Sequence, residues 1–220
     1  MIKVSNLSFQ YDKTSLFEKL DLNIKKGELT AIFGPNGIGK TTFLKLISGL
    51  LKSTSGHITI DTQKIGFLVQ RNALDVHFPM TVYELAEMGQ ISSDPASIQY
   101  ALDTVDLWNI RHKYLDEISG GQFQRALFAR LIVQNPDLIL LDEPFNAIDC
   151  QTLNYLMKQI QLWHSLEKTI LVVLHDFDLI QKYFQNCIFI GSHFVKQLDV
   201  KDVTYEKMTQ MMFCGQHYAA

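Results

Sequence analysis

The octapeptide Gly34-Pro35-Asn36-Gly37-Ile38-Gly39-Lys40-Thr41 limits what this chain can fold into more than any other feature. It fits G-x-x-x-x-G-K-[ST] in full, and that pattern carries a mechanism only between a strand and a helix. Both flanks are present. Leu29 to Phe33 is a compact apolar strand that stops at Gly34, and Phe43, Leu44, Leu46, Ile47 and Leu50 recur at helical spacing. Glycines let the backbone wrap round a phosphate with its N–H groups turned inward, and the helix start adds the positive end of its dipole. Lys40 then neutralises the β- and γ-phosphates of a bound nucleotide, the Thr41 hydroxyl ligates Mg²⁺, and Thr42 donates near the α-phosphate.

The rest of the chain supplies a fold for that loop. Ile2 to Val4 and the alternating run Leu16 to Ile24 read as strands, followed by a turn at Lys25-Lys26-Gly27. His57 to Ile60 and Lys64 to Val69 are further strands. From Thr81 to about Leu115 the texture turns helical, with Val82, Leu85, Ala86 and Met88, then Ile98, Ala101, Leu102 and Val105, broken at Ser92-Ser93-Asp94-Pro95. This predicts an inserted helical lobe over roughly 75–117. With the next helix, Ser119 to Val133, it makes a helical subdomain of about 75–134 inside one domain of 1–220. Asn135-Pro136-Asp137 stops that helix; a strand at Leu138 to Leu141, a helix at Thr152 to Leu166 and a strand at Thr169 to Leu174 follow, and the tail beyond Val200 reads as helical. Alternating strands and helices predict an α/β fold with a mainly parallel sheet.

Composition narrows the class. A formal net charge of −3 argues against a nucleic-acid surface, which usually carries excess Lys and Arg. Cys150, Cys187 and Cys214 are odd in number and lack zinc-type spacing, so they read as free thiols in a reducing compartment. No apolar run is long enough to cross a bilayer, and Met1 to Asn6 lacks the apolar core of a secretory signal, which predicts a cytoplasmic chain.

Two further segments carry chemistry. Leu138 to Leu141 delivers the pair Asp142-Glu143 at its C-terminal end, where parallel sheets bind ligands. Asp142 suits a Mg²⁺ ligand and Glu143 a base that polarises a water. Ser119-Gly120-Gly121-Gln122 opens a strong helix and presents a second exposed helix N-terminus with a serine cap. A serine and two glycines alone usually make only a cap. Lying upstream of a carboxylate strand, in a chain that already has a phosphate loop, the segment resembles the signature of the ABC ATPases, with Ile118 where that family usually has Leu.

The resemblance spans about 1–195 and implies the remaining roles. It implies a P-loop NTPase core with a mainly parallel sheet, an antiparallel β subdomain and an inserted helical subdomain. Tyr11 stands where the family stacks an aromatic on adenine, Gln70 where it senses Mg²⁺ and the attacking water, and His175 where it contacts the γ-phosphate. Asn146-Ala147-Ile148-Asp149 resembles the loop that communicates across the dimer. ATP and Mg²⁺ are the implied ligands. The implied partners are a second copy, clamping ATP head-to-tail between Lys40 of one chain and Ser119 to Gln122 of the other, and a membrane permease that holds the pair on the inner face of the cell membrane. Gln70-Arg71, Asp75-Val76-His77-Phe78-Pro79, Thr81-Val82, Phe145 and Tyr183-Phe184 resemble importers of zinc and manganese, which work with a metal-binding solute-binding protein. An importer of iron chelates or another small solute, a soluble ABC protein outside transport and a scaffold without catalysis are the alternatives. Met208, Met211, Met212, Cys214 and His217 in the tail read as helix packing.

Overall fold

The computed structural model describes residues 1–12, 14–69, 79–90, 94–146, 148–192 and 194–213. In chain order the strands and helices are β1 (Ile2–Tyr11), β2 (Thr14–Ile24), β3 (Leu29–Phe33), α1 (Lys40–Ile47), β4 (Ser55–Ile60), β5 (Ile65–Leu68), α2 (Val82–Glu87), α3 (Pro95–Thr104), α4 (Gly120–Gln134), β6 (Leu138–Asp142), α5 (Cys150–Ser165), β7 (Thr169–Val173), α6 (Phe177–Tyr183), β8 (Asn186–Gly191), β9 (Phe194–Asp199) and α7 (Tyr205–Phe213).

Two sheets result. One is antiparallel, ordered β2-β1-β4; the other is ordered β5-β6-β7-β3-β8-β9, parallel except for β9 at its edge. Every residue of β3, β6 and β7 is buried, the pattern of parallel strands covered on both faces. Alternate side chains therefore enter different cores. Ala31, Ile139, Leu141, Ile170 and Val172 join the helices α2 to α6 on one side. Ile32, Leu138, Leu140, Leu171 and Val173 join α1 and the antiparallel sheet on the other. Each Val, Leu or Ile among them contributes about 1.5–3 kcal/mol by leaving water, and a one-residue register slip would exchange both cores at once.

Register places the functional ends. Ile32 pairs with Val173, and Val173 with Asp142. The exits of β3, β7 and β6 thus lie side by side on one rim of the sheet, with Gly34, His175 and Glu143 one or two residues beyond them.

The helical region follows its start signals. Thr81 caps α2 in a reciprocal box with Glu84, Asp94 caps α3 ahead of Pro95, and α2 and α3 pack on α4. α4 ends where Asn135 takes a left-handed conformation, at the predicted Asn-Pro stop. Several bounds differ from expectation: β1 runs on to Tyr11, α1 ends at Ile47, and α6, β8 and β9 fill a stretch with no assigned pattern. Cys187 to Ile190 is a short apolar run, which periodicity alone does not assign to strand or helix; its place beside β3 is a long-range pairing. Among the described residues no helix is long and apolar enough to cross a membrane.

Candidate functional site

β3 leads into residues 34–39 and α1 leads away, as the octapeptide requires. Gly34 cannot be replaced, because a Cβ there would lie 2.3 Å from the Ile190 carbonyl oxygen of β8. The N-cap of α1 is Gly39, which offers no side-chain oxygen to the first-turn N–H groups. They are left as donors for an anion. Lys40 opens the helix buried, and its ammonium donates to the carbonyls of Gly34 and Pro35, both at 2.9 Å. Burial lowers its pKa, and the carboxylates of Glu143 and Asp142 oppose that shift.

A cavity of about 440 Å³ lies over this loop. One wall carries Asn36, Gly37, Gly39, Lys40, Thr41 and Thr42; the other carries Glu143, Asn146 and His175. Asp142 lies behind that lining, 1% exposed, and neither of its carboxylate oxygens makes a hydrogen bond of good geometry. The Thr41 side chain is close enough to pull its pKa down, but burial wins and raises it. Two buried carboxylate oxygens without a hydrogen bond of good geometry, beside a threonine hydroxyl, are an arrangement that a hard cation completes.

Glu143 has a left-handed backbone, φ 50°, rare for a residue with a Cβ. Its Oε1 lies 2.8 Å from His175 Nε2, and its Oε2 accepts from Asn146 Nδ2 at 2.5 Å. A carboxylate lining the cavity over the phosphate loop and tied to an imidazole can orient a water and take its proton.

Ser119 to Gln122 do not line this cavity. Ser119 Oγ accepts from the Gln122 N–H at 3.2 Å, and Gln122 Oε1 accepts from the Ser119 N–H at 2.8 Å. Gly121 packs on the start of α5, where a Cβ would meet Thr152 Oγ1 at 2.9 Å and Asp149 Oδ2 at 3.2 Å. Tyr11 ends β1 at 47% exposure, edge-on to Phe9, outside the cavity lining. Gln70 and the segment 71–78, with Ala147, Cys214 and His217, lie outside the described residues. The contact of Asn146 with Glu143 escaped the sequence reading. Its signal was there: Glu143-Pro144-Phe145-Asn146 is a turn sequence that returns its fourth residue to its first.

Comparison with known proteins supplies the context. Residues 17–146 match the ABC transporter family. The chain is 35% identical over 216 residues to the zinc uptake system ATP-binding protein ZurA of Listeria innocua, covering 89% of this chain and 84% of the relative. It is 36% identical over 202 residues to the petrobactin import ATP-binding protein YclP of Bacillus subtilis, covering 83% and 80%. It is 30% identical over 231 residues to the manganese transport system ATP-binding protein MntB of Halalkalibacterium halodurans, covering 98% and 92%. Among solved structures, a metal-chelate type ABC transporter in an inward-facing conformation matches with a TM-score of 0.83 at 28% identity, covering 94% of this chain and 87% of that one. A dimeric bacterial ABC transporter cassette matches with a TM-score of 0.81 at 28% identity, covering 91% and 99%.

Proposed function

The chain belongs to the ABC transporter family as an ATP-binding and ATP-hydrolysing subunit, and from that premise we propose that it powers import of a divalent metal, zinc or manganese, through a membrane permease. The names of ZurA and MntB support the cargo. The name of YclP supports a second reading, import of an iron chelate. Transport by the chain with its cognate permease in proteoliposomes separates the two: uptake of ferric chelate but not of zinc or manganese rejects the metal reading.

The loop N–H groups and Lys40 hold the β- and γ-phosphates, and Thr42 donates near the α-phosphate. Thr41 and Asp142 would hold Mg²⁺, with Gln70 as a third residue; the buried Asp142 oxygens, which make no hydrogen bond of good geometry, support this assignment. When bound, Mg²⁺ supplies positive charge for the phosphate oxygens. Glu143 takes a proton from the attacking water, and His175 steadies it from the γ-phosphate side. The exposed Tyr11 ring stacks on adenine.

A second copy, arranged head-to-tail, adds its Ser119 to Gln122 to the γ-phosphate. Support comes from the dimeric cassette and from the placement of that segment outside the cavity of its own chain. ATP then favours the closed pair through contacts made only there, and hydrolysis withdraws them. The permease and a solute-binding protein complete the importer and hold this subunit on the inner face of the membrane, with the helical subdomain of about 75–134 as the coupling surface.

The single observation that carries the reading is Glu143 at the lip of the phosphate cavity, 2.8 Å from His175. Glu143→Gln keeps ATP binding, abolishes turnover and traps a dimer on size-exclusion chromatography. Continued hydrolysis by that variant rejects Glu143 as the base.

A further inference from the structure

We propose that Asn146 is a positioning residue for hydrolysis, holding the Glu143 carboxylate where it can receive the proton of the attacking water. The inference rests on the assignment of Glu143 as the base and adds the group that aims it.

The turn makes the contact. Pro144 occupies the second position of a four-residue turn, where its fixed φ is preferred, and Asn146 the fourth. The Asn146 N–H donates to the Glu143 carbonyl at 3.3 Å, closing the turn. The Asn146 side-chain amide then reaches the Glu143 carboxylate at 2.5 Å. One residue therefore grips both the main chain and the side chain of Glu143. His175, two residues beyond β7, meets the other carboxylate oxygen, so the group is pinned from two segments.

That grip answers a need. Glu143 lies in the left-handed region, φ 50°, which a residue with a Cβ keeps only when its surroundings hold it there. Its side chain has three rotatable bonds, and a base works only within hydrogen-bond reach of the water it polarises. A carboxamide donates a hydrogen bond to a carboxylate but is no base at neutral pH. Asn146 thus acts through Glu143.

Steady-state ATP hydrolysis by the full-length chain, with nucleotide affinity measured alongside, decides the matter. Asn146→Ala lowers kcat about tenfold, part of the about 10²- to 10⁴-fold that a positioned base supplies, while KM and affinity for ATP stay within about twofold. Asn146→Asp has the same shape but exchanges the donor for an acceptor, and loses at least as much. Melting curves of both variants stay near the parent, which separates positioning from misfolding. Wild-type kcat in either variant, or a raised KM at unchanged kcat, overturns the proposal. Glu143→Gln runs in parallel. Hydrolysis by that variant removes the base itself, whatever Asn146 does; a dead Glu143→Gln beside a fully active Asn146→Ala removes only the role of Asn146.

Discussion

The rim where β3, β6 and β7 end and the start of α4 are the two regions assigned to phosphate in the proposed function, yet they are at rest in opposite ways. At the rim Asp142 is buried with no hydrogen bond of good geometry on either oxygen, Lys40 is buried with its pKa lowered, and Glu143 holds a strained backbone. At the start of α4, Ser119 and Gln122 satisfy each other in a capping box without a formal charge. The rim stores unfavourable desolvation that a ligand can relieve; the helix start is locally complete and offers only a dipole. On the proposed function the difference is a division of labour, with charge at the rim for the nucleotide and a dipole at α4 for the nucleotide of a second copy.

The strongest way to break this contrast is at Lys40. Lys40→Ala lowers ATP affinity about 10²-fold, the size expected when one partner of a buried charge pair is removed, measured by fluorescent-nucleotide titration. Gly121→Ala leaves monomer affinity within about twofold but cuts turnover about tenfold or more. The new Cβ must displace Thr152 or Asp149, and shifts near 1 Å at a reacting centre can cost up to about 10²-fold. Equal effects of the two variants on affinity would erase the distinction.

Asp142→Asn sharpens it. Burial raises the folded-state pKa of Asp142 above its unfolded value. The folded chain then binds the proton more tightly, so this group's contribution falls as pH rises from the unfolded pKa through the folded one, and its ionised form costs stability above both. The variant loses hydrolysis yet melts about 2–4 °C higher at neutral pH in chelator, the shift that ~1 kcal/mol produces at this size. The gain shrinks as pH falls from the raised folded pKa to the ordinary carboxylate value and changes no further below it. A lower melting point at neutral pH would show that the rim is not strained. The smallest effect belongs to the relaxed region: Ser119→Ala lowers stability by about 1 kcal/mol through loss of the cap, read from urea unfolding, with no change in monomer ATP affinity.

Much of the site was legible because its chemistry is local. The octapeptide, the Asp142-Glu143 pair and Ser119 to Gln122 each depend on a strand end or helix start written within a few neighbouring residues, and Leu29–Phe33 appears with its predicted bounds. Residues 177–199 were not legible. The apolar run in β8 has no periodicity to reveal its partner, and its pairing with β3 joins residues more than 150 positions apart. The grip of Asn146 on Glu143 follows a turn signal written in the sequence, but the side-chain contact itself exists only in the folded chain.

The sequence by itself determined the phosphate loop, the acid pair, the serine cap and the alternation of strands and helices, since each follows from backbone preference and spacing over short stretches. Only the tertiary structure decided that Asp142 is buried with no hydrogen bond of good geometry, that Glu143 is strained and held from two sides, and that Ser119 to Gln122 stand outside the cavity of their own chain. Those properties arise from desolvation and strand register, which depend on what distant segments bring into contact.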